Sequence, residues 1–327
     1  MYCTLLRLRL AGQLNIHGSQ HRFVLAGRSV SVVAPDLAAD YPDAYWISMR
    51  ACGFETEEEA LAFGTLLSES CQVSSVLHRL GLDPGVETPS TPGFFERGAK
   101  QARVGARSLR GIYHGLDVYA EDPGMEFVRN ISNALYIPFP TQDFIAGIKR
   151  HFESNHAPVL LGAANENVLR LFNEALLQRE PTSRTVLLIS TVEMLSQDQE
   201  WTDAQRGMLK ETADHVRSRQ TGSSAEREEV ASAIEKLYRL SLRQGVFRLL
   251  QKIGLSHLRK TWDDLYDERC RLVHANEPNQ QARHAALADR ATAVCGRILI
   301  AALRDVLNPL PEDLETWYSL AGPNEMP

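Results

Sequence analysis

Long apolar runs are missing from this chain, and without about 18 consecutive apolar residues no segment reads as a membrane-spanning helix. The opening MYCTLLRLRLAGQLNIHG is interrupted by Arg7 and Arg9, so it does not read as a signal peptide either. Basic charge is not in excess. Thirty-five Lys and Arg stand against 41 Asp and Glu, a formal net charge of −6. That balance leaves no global nucleic-acid footprint and confines any polyanion contact to a few local cations. Cysteine is sparse: Cys3, Cys52, Cys71, Cys270 and Cys295 are scattered, odd in number and without a CxxC pair. Such usage argues against a disulfide framework and against a zinc site, and it suits a reducing cytosol. The sequence therefore predicts a soluble, cytoplasmic protein with no membrane contact.

Familiar cofactor motifs are absent too. There is no GxGxxG, Walker loop or nucleophile elbow. His17 and His21 are separated by Gly18 and Ser19, which disfavour a helix, and His151 and His156 are not at a typical ligand spacing. Neither a metal nor a cofactor is expected.

What is present divides by pattern. A length of 327 residues with 44% hydrophobic content allows two domains, each with its own core. Residues 1–82 read as a β-rich module with one helix. Leu6, Leu8 and Leu10 alternate with Arg7 and Arg9, Arg22–Ala26 and Ser29–Val33 flank Gly27 like a hairpin, and Tyr45–Ala51 alternates again. Thr56 followed by Glu57, Glu58 and Glu59 marks a helix start, with Leu61, Phe63, Leu66 and Leu67 continuing towards Val76. Residues 83–156 read as a linker with short strands, possible extensions of the first module, at Leu116–Ala120 and Ala134–Pro138. Its basic run through Arg97, Lys100, Arg103, Arg107 and Arg110 is expected to be a solvated surface.

Residues 157–327 read as a helical bundle, making the whole α+β. Glu166–Gln178 places Val168, Leu169, Phe172, Ala175 and Leu176 on one face, and Arg184–Ser196 is almost entirely apolar. Trp201–Val216 carries a weaker stripe. A further helix carries Val230, Ile234, Leu237 and Tyr238, and the last helix has a clean stripe from Ala291 to Leu307.

One helix is anomalous. On Ser256–Asn276, with 100° per residue, Leu258, Trp262, Leu265, Tyr266, Leu272 and Val273 all fall within roughly 60° of Arg269. A cation thus lies on the centre of a buried stripe, where it needs a partner or a cleft. Five residues on is His274. A guanidinium grips phosphate through paired hydrogen bonds and offsets charge that builds on phosphorus. An imidazole is suited to proton transfer near neutral pH. The pair suits phosphodiester chemistry on RNA, whose 2′-hydroxyl supplies the nucleophile without a metal. On a regular helix the two side chains diverge by roughly 140°, so one site served by both favours two copies meeting in a symmetric dimer.

The string Tyr266-Asp267-Glu268-Arg269-Cys270-Arg271-Leu272-Val273-His274-Ala275 resembles the motif of the HEPN superfamily, in particular its Apea-like branch. Leu171–Leu195 is similar to that family's first two helices, with Glu193 at the position of an acidic residue near the motif. The resemblance covers about residues 160–310, and departs from the usual pattern at Cys270 and Ala275. It implies a metal-independent endoribonuclease acting as a homodimer, often in phage defence or toxin systems, that leaves 2′,3′-cyclic phosphate ends. Arg269 would hold the scissile phosphate, His274 would move protons, Glu193 would orient one of them, and Arg271 would add an RNA contact. The N-terminal module would receive a regulatory partner.

Two other readings fit the same residues. In one, Arg269 and Glu193 form a buried ion pair in a non-catalytic dimerisation or partner-binding or RNA-binding module. In the other, Leu240–Trp262, with Arg243, Arg248, Lys252, Arg259 and Lys260, is a helix-turn-helix that binds DNA.

Overall fold

A 13-residue strand, β1 (Tyr2–Leu14), organises the N-terminal half. The computed structural model describes residues 1–14, 20–33, 44–85, 108–111, 114–121, 125–128, 138–139, 141–154, 163–237, 240–274, 281–307 and 317. On one edge of β1 runs β4 (Ala44–Phe54), then β3 (Arg28–Val33) and β2 (Gln20–Leu25). Its other edge is shared by β7 (Gly115–Ala120), β5 (Leu82–Asp83) and β9 (Pro138–Phe139), of which only β9 runs parallel. A separate parallel pair joins β6 (Ser108–Gly111) and β8 (Met125–Val128).

The predicted hairpin is present. Ala26 and Gly27 both take positive φ, 46° and 76°, as a two-residue turn between right-twisted strands requires. Alternation along β1 buries Leu6, Leu8 and Leu10 completely and leaves Arg7 and Arg9 half-buried on the opposite face. Against the leucine face lie α1 (Glu57–Leu77) and α2 (Thr141–Ser154), in a core with Ile47, Met49, Leu67, Phe144 and Ile148. Thr56 caps α1 by accepting from the Glu59 N–H at 3.2 Å. Leu61, however, is half exposed and does not belong to the predicted stripe.

Among its described residues, the 83–156 segment holds more regular structure than its Pro and Gly content predicts. Besides four strands it holds α2, whose Phe144, Ile145, Ile148 and Phe152 bury one face. A Cβ on Gly147 would clash with the Ser74 hydroxyl, so glycine lets the two helices approach, and Ser74 donates to the Phe144 carbonyl at 2.7 Å. Residues 86–107, with most of the basic run, and most of the strand predicted at Ala134–Pro138 lie outside the described residues.

Seven further helices follow among the described residues: α3 (Ala163–Leu177), α4 (Pro181–Leu195), α5 (Asp203–Ser218), α6 (Ser224–Lys236), α7 (Leu242–Lys252), α8 (Arg259–His274, preceded by a 3-10 turn at Ser256–Leu258) and α9 (Gln281–Ala302). A one-turn helix, α10 (Arg304–Leu307), comes last. The class is α+β. None of the described helices is long and apolar enough to cross a membrane.

Two compact units are built from these elements, and the division falls inside α4, between Leu187 and Leu188. The sequence boundary at 157 assigns α3 to the C-terminal bundle, but α3 packs on α1 in the first unit. There the Ser75 hydroxyl donates to the Asn173 side-chain carbonyl at 2.8 Å, and the Asn173 amide donates to the Gln72 carbonyl at 3.2 Å. The second unit comprises Leu188–Ala302 with Trp317.

α1 also buries Glu69, 4% exposed, with one carboxylate oxygen lacking a hydrogen bond among the described residues. Burial, helped by the nearby negative charge of Glu166, pushes its pKa up to about 7. The native state therefore prefers the protonated acid. Its contribution is fully present below about pH 4.5 and is lost as pH rises through about 7. Glu69→Gln is expected to raise stability by roughly 2–3 kcal/mol at pH 8 and by little at pH 4.5. Urea melts at the two pH values check this.

Two sequence expectations need correction. Cys3 and Cys52 form a disulfide between β1 and β4. They are 49 residues apart, and only the strand register brings them opposite each other, so spacing gave no hint. In the second unit, Val230 and Leu237 are more than half exposed and do not form a buried face. α5 and α6 instead bury only Ala213 and Ala231, and Arg217 ties them together through Glu228 at 3.0 Å and Glu235 at 2.7 Å.

Candidate functional site

The second unit holds the anomalous cation. α8 follows a sharp reversal: α7 ends at Lys252, Gly254 beyond it takes φ +75°, and the Leu255 N–H returns to the Leu250 carbonyl at 2.8 Å. Leu258, Trp262 and Leu265 then fix the buried face of α8. Arg269 continues that line, half-buried, with its Nε shielded from solvent and without a hydrogen bond among the described residues.

Glu193 comes from α4, is 8% exposed, and has one carboxylate oxygen likewise unsatisfied. Burial raises its pKa, and the positive charge of Arg269 pulls it back down. Sequence reasoning paired these two residues, and the fold brings them into electrostatic contact. Among the described residues they share no direct ion pair, so the predicted buried salt bridge is a looser arrangement. Tyr266, half-buried one turn before Arg269, joins the same cluster. Its pKa is raised by burial and by the charges of Glu193 and Cys270, against the opposing pull of Arg269 and Arg243. Cys295 of α9 is fully buried, and burial, with Glu193 nearby, pushes its thiol well up.

Arg271 is exposed, on the opposite side from the buried stripe. α8 remains a regular helix to His274, so the positions of Arg269 and His274 diverge by about 140°. The His274 side chain lies outside the described residues. One Arg–His contact in this unit involves other residues: Arg297, 3% exposed on α9, lies 3.3 Å from the His257 ring.

Arg243 of α7 is a functional candidate that sequence reasoning placed in a DNA-binding surface. It donates to Asp263, reaches Asp267 at 3.2 Å, and lies over the Tyr266 ring at 5.7 Å. Asp263 and Asp267 are like charges one turn apart, and the guanidinium between them offsets their repulsion. No sequence signal marks this contact, because it arises from the packing of α7 on α8. Arg243→Ala is expected to lower stability by about 1 kcal/mol, with Arg243→Lys recovering part of it in thermal melts.

Two more basic side chains of the predicted helix-turn-helix, Arg248 and Arg259, are also engaged. Arg248 donates to the Glu200 carbonyl and to Gln205, and lies 4.9 Å over Trp201. Arg259 lies 4.2 Å over Phe247. Val246, Leu249, Leu250 and Leu255 are packed into the unit.

In comparisons with known proteins, no family model, curated protein or solved structure matches this chain.

Proposed function

We propose that the chain is a metal-independent endoribonuclease of HEPN type, with Arg269 and His274 as its catalytic pair. The observation that supports this most is the setting of Arg269: a half-buried guanidinium on an apolar helix face, next to the buried Glu193 carboxyl. Such a cation is held on a fixed helix face and, among the described residues, has no direct ion pair, which suits a group that takes up a phosphate. Held there, it offsets the negative charge that develops as the 2′-hydroxyl attacks phosphorus. His274, the last residue of α8, serves as proton donor to the leaving 5′-oxygen. Glu193 and Tyr266 position Arg269. Arg271, exposed, contacts the RNA backbone.

The divergence along α8 makes a symmetric homodimer the natural assembly, one copy contributing Arg269 and the other His274. The N-terminal sheet module would receive the regulator, in a phage-defence or toxin setting.

A second reading keeps Arg269 as the counter-charge of Glu193 in a non-catalytic binding module. It is favoured by the same divergence and by Cys270, which puts a thiol where the resemblance has a polar residue. Incubating the purified chain with mixed RNAs in EDTA separates the two. Fragments with 2′,3′-cyclic phosphate ends support the nuclease, and RNA that stays intact supports the binding module.

A further inference from the structure

The far face of the sheet, opposite α1, carries a cluster that the proposed nuclease does not use. Cys3 and Cys52 face each other across β1 and β4 with Cα atoms 4.0 Å apart. Glu121 follows β7, the strand on the other edge of β1. Its backbone N–H donates to the Met1 carbonyl at 2.8 Å, which ties it to the start of β1. The two sulfurs and a Glu121 carboxylate oxygen all lie within 4.8 Å of one another. Beside them Arg50 donates to the Cys3 sulfur at 3.7 Å.

We propose that Cys3, Cys52 and Glu121, with the disulfide reduced, form a three-ligand site for a thiophilic divalent cation of the zinc class, and that the disulfide is its closed state. Thiolate sulfur and carboxylate oxygen are the donors such an ion selects, at bond lengths of about 2.3 and 2.0–2.2 Å. Tetrahedral placement on those bonds sets ligand atoms roughly 3.3–3.8 Å apart. The carboxylate thus closes by at most roughly 1.5 Å, and the sulfurs separate once their bond is broken. Charge also balances: two thiolates and a carboxylate leave a bound divalent ion with one net negative charge, which the Arg50 guanidinium neutralises. Cys52 is half-buried and Glu121 exposed, so the fourth position opens to solvent.

The redox step is a two-electron exchange. A dithiol reductant gives two electrons and two protons to the Cys3–Cys52 bond, becomes a disulfide itself, and leaves two thiols. The cation then displaces both thiol protons, so binding weakens in acid. Disulfide and metal compete for the same two sulfurs, which makes occupancy a readout of redox state. The sequence hid the site because two strands and the end of a third bring its ligands together, and no local CxxC announces it.

Cobalt(II) titration of the full chain, reduced with a phosphine, tests this. The expected result is one cobalt per chain with a thiolate-to-metal charge-transfer band, displaced by zinc and absent from the oxidised chain. Cys52→Ser should lose the band, and Glu121→Gln, at an exposed position, should weaken binding about tenfold or more. The proposal is overturned if the reduced chain shows no such band, if Cys52→Ser retains it, or if Glu121→Gln binds as tightly as wild type.

Discussion

Arg269→Ala is expected to abolish most of the proposed RNA cleavage, by about 10²–10³-fold, because it removes the cation proposed to meet charge developing on phosphorus. It is also expected to lower stability in a pH-dependent way. Glu193 is buried, and its pKa in the native state is already raised by that burial; Arg269 is what restrains the rise. A carboxyl with a raised native pKa contributes fully below its unfolded value, near 4.5, and loses that contribution as pH climbs through the native value. Without Arg269 the native value moves higher still, and at alkaline pH a buried carboxylate is left with no compensating charge. The variant should lose roughly 1–3 kcal/mol at pH 8 and much less at pH 4.5. Adding Glu193→Gln should recover most of the alkaline loss without recovering cleavage. Denaturant melts of the single and double variants at both pH values check the sign.

The largest stability effect is expected at a contact that the proposed chemistry does not use. Trp317 is 1% exposed and seats its indole where α9 carries Gly296. A Cβ at position 296 would lie inside the van der Waals surface of that ring. Trp317→Ala should cost about 3–5 kcal/mol through lost burial and the cavity left behind. Gly296→Ala should cost about 1–3 kcal/mol by forcing the ring away. Because the two share one contact, their effects should not add, and the double variant should melt near Trp317→Ala alone.

The periodic elements were legible in the sequence. β1 alternates, β2 and β3 flank a turn with Gly27, and α1 opens on Thr56 with an acidic first turn, so pattern and structure agree there. Three further helix starts follow the capping-box pattern, Thr202 with Gln205, Ser223 with Glu226 and Ser241 with Gln244, a local signal that fixes their boundaries well. α2 has a helical stripe, but Pro138 and Pro140 lie just before it and Gly147 interrupts it, and only the Ser74 contact explains the glycine. What stayed hidden was long-range. The Cys3–Cys52 bond depends on strand register, Gly296 on an aromatic 21 residues later, and Arg243 on how α7 packs against α8.

The candidate site was legible for the same reason that the fold was. Arg269 stands out because helical periodicity places it among Leu258, Trp262 and Leu265, whereas Glu193 was marked only by the resemblance, which puts an acidic residue at its position. Tyr266 was visible as part of the motif, but its place between Glu193 and Arg243 comes from tertiary packing. Cys295 carried no signal beyond its position on a clean apolar stripe.

The central claim is that Arg269 and His274 cut RNA together without a metal. The most direct test compares wild type with His274→Ala on one end-labelled RNA in EDTA, after circular dichroism and sedimentation show that both share the same fold and assembly. The account predicts cyclic-phosphate fragments from wild type and a loss of about 10²–10⁴-fold in the variant. Equal cleavage by both proteins, or none by wild type, would contradict it.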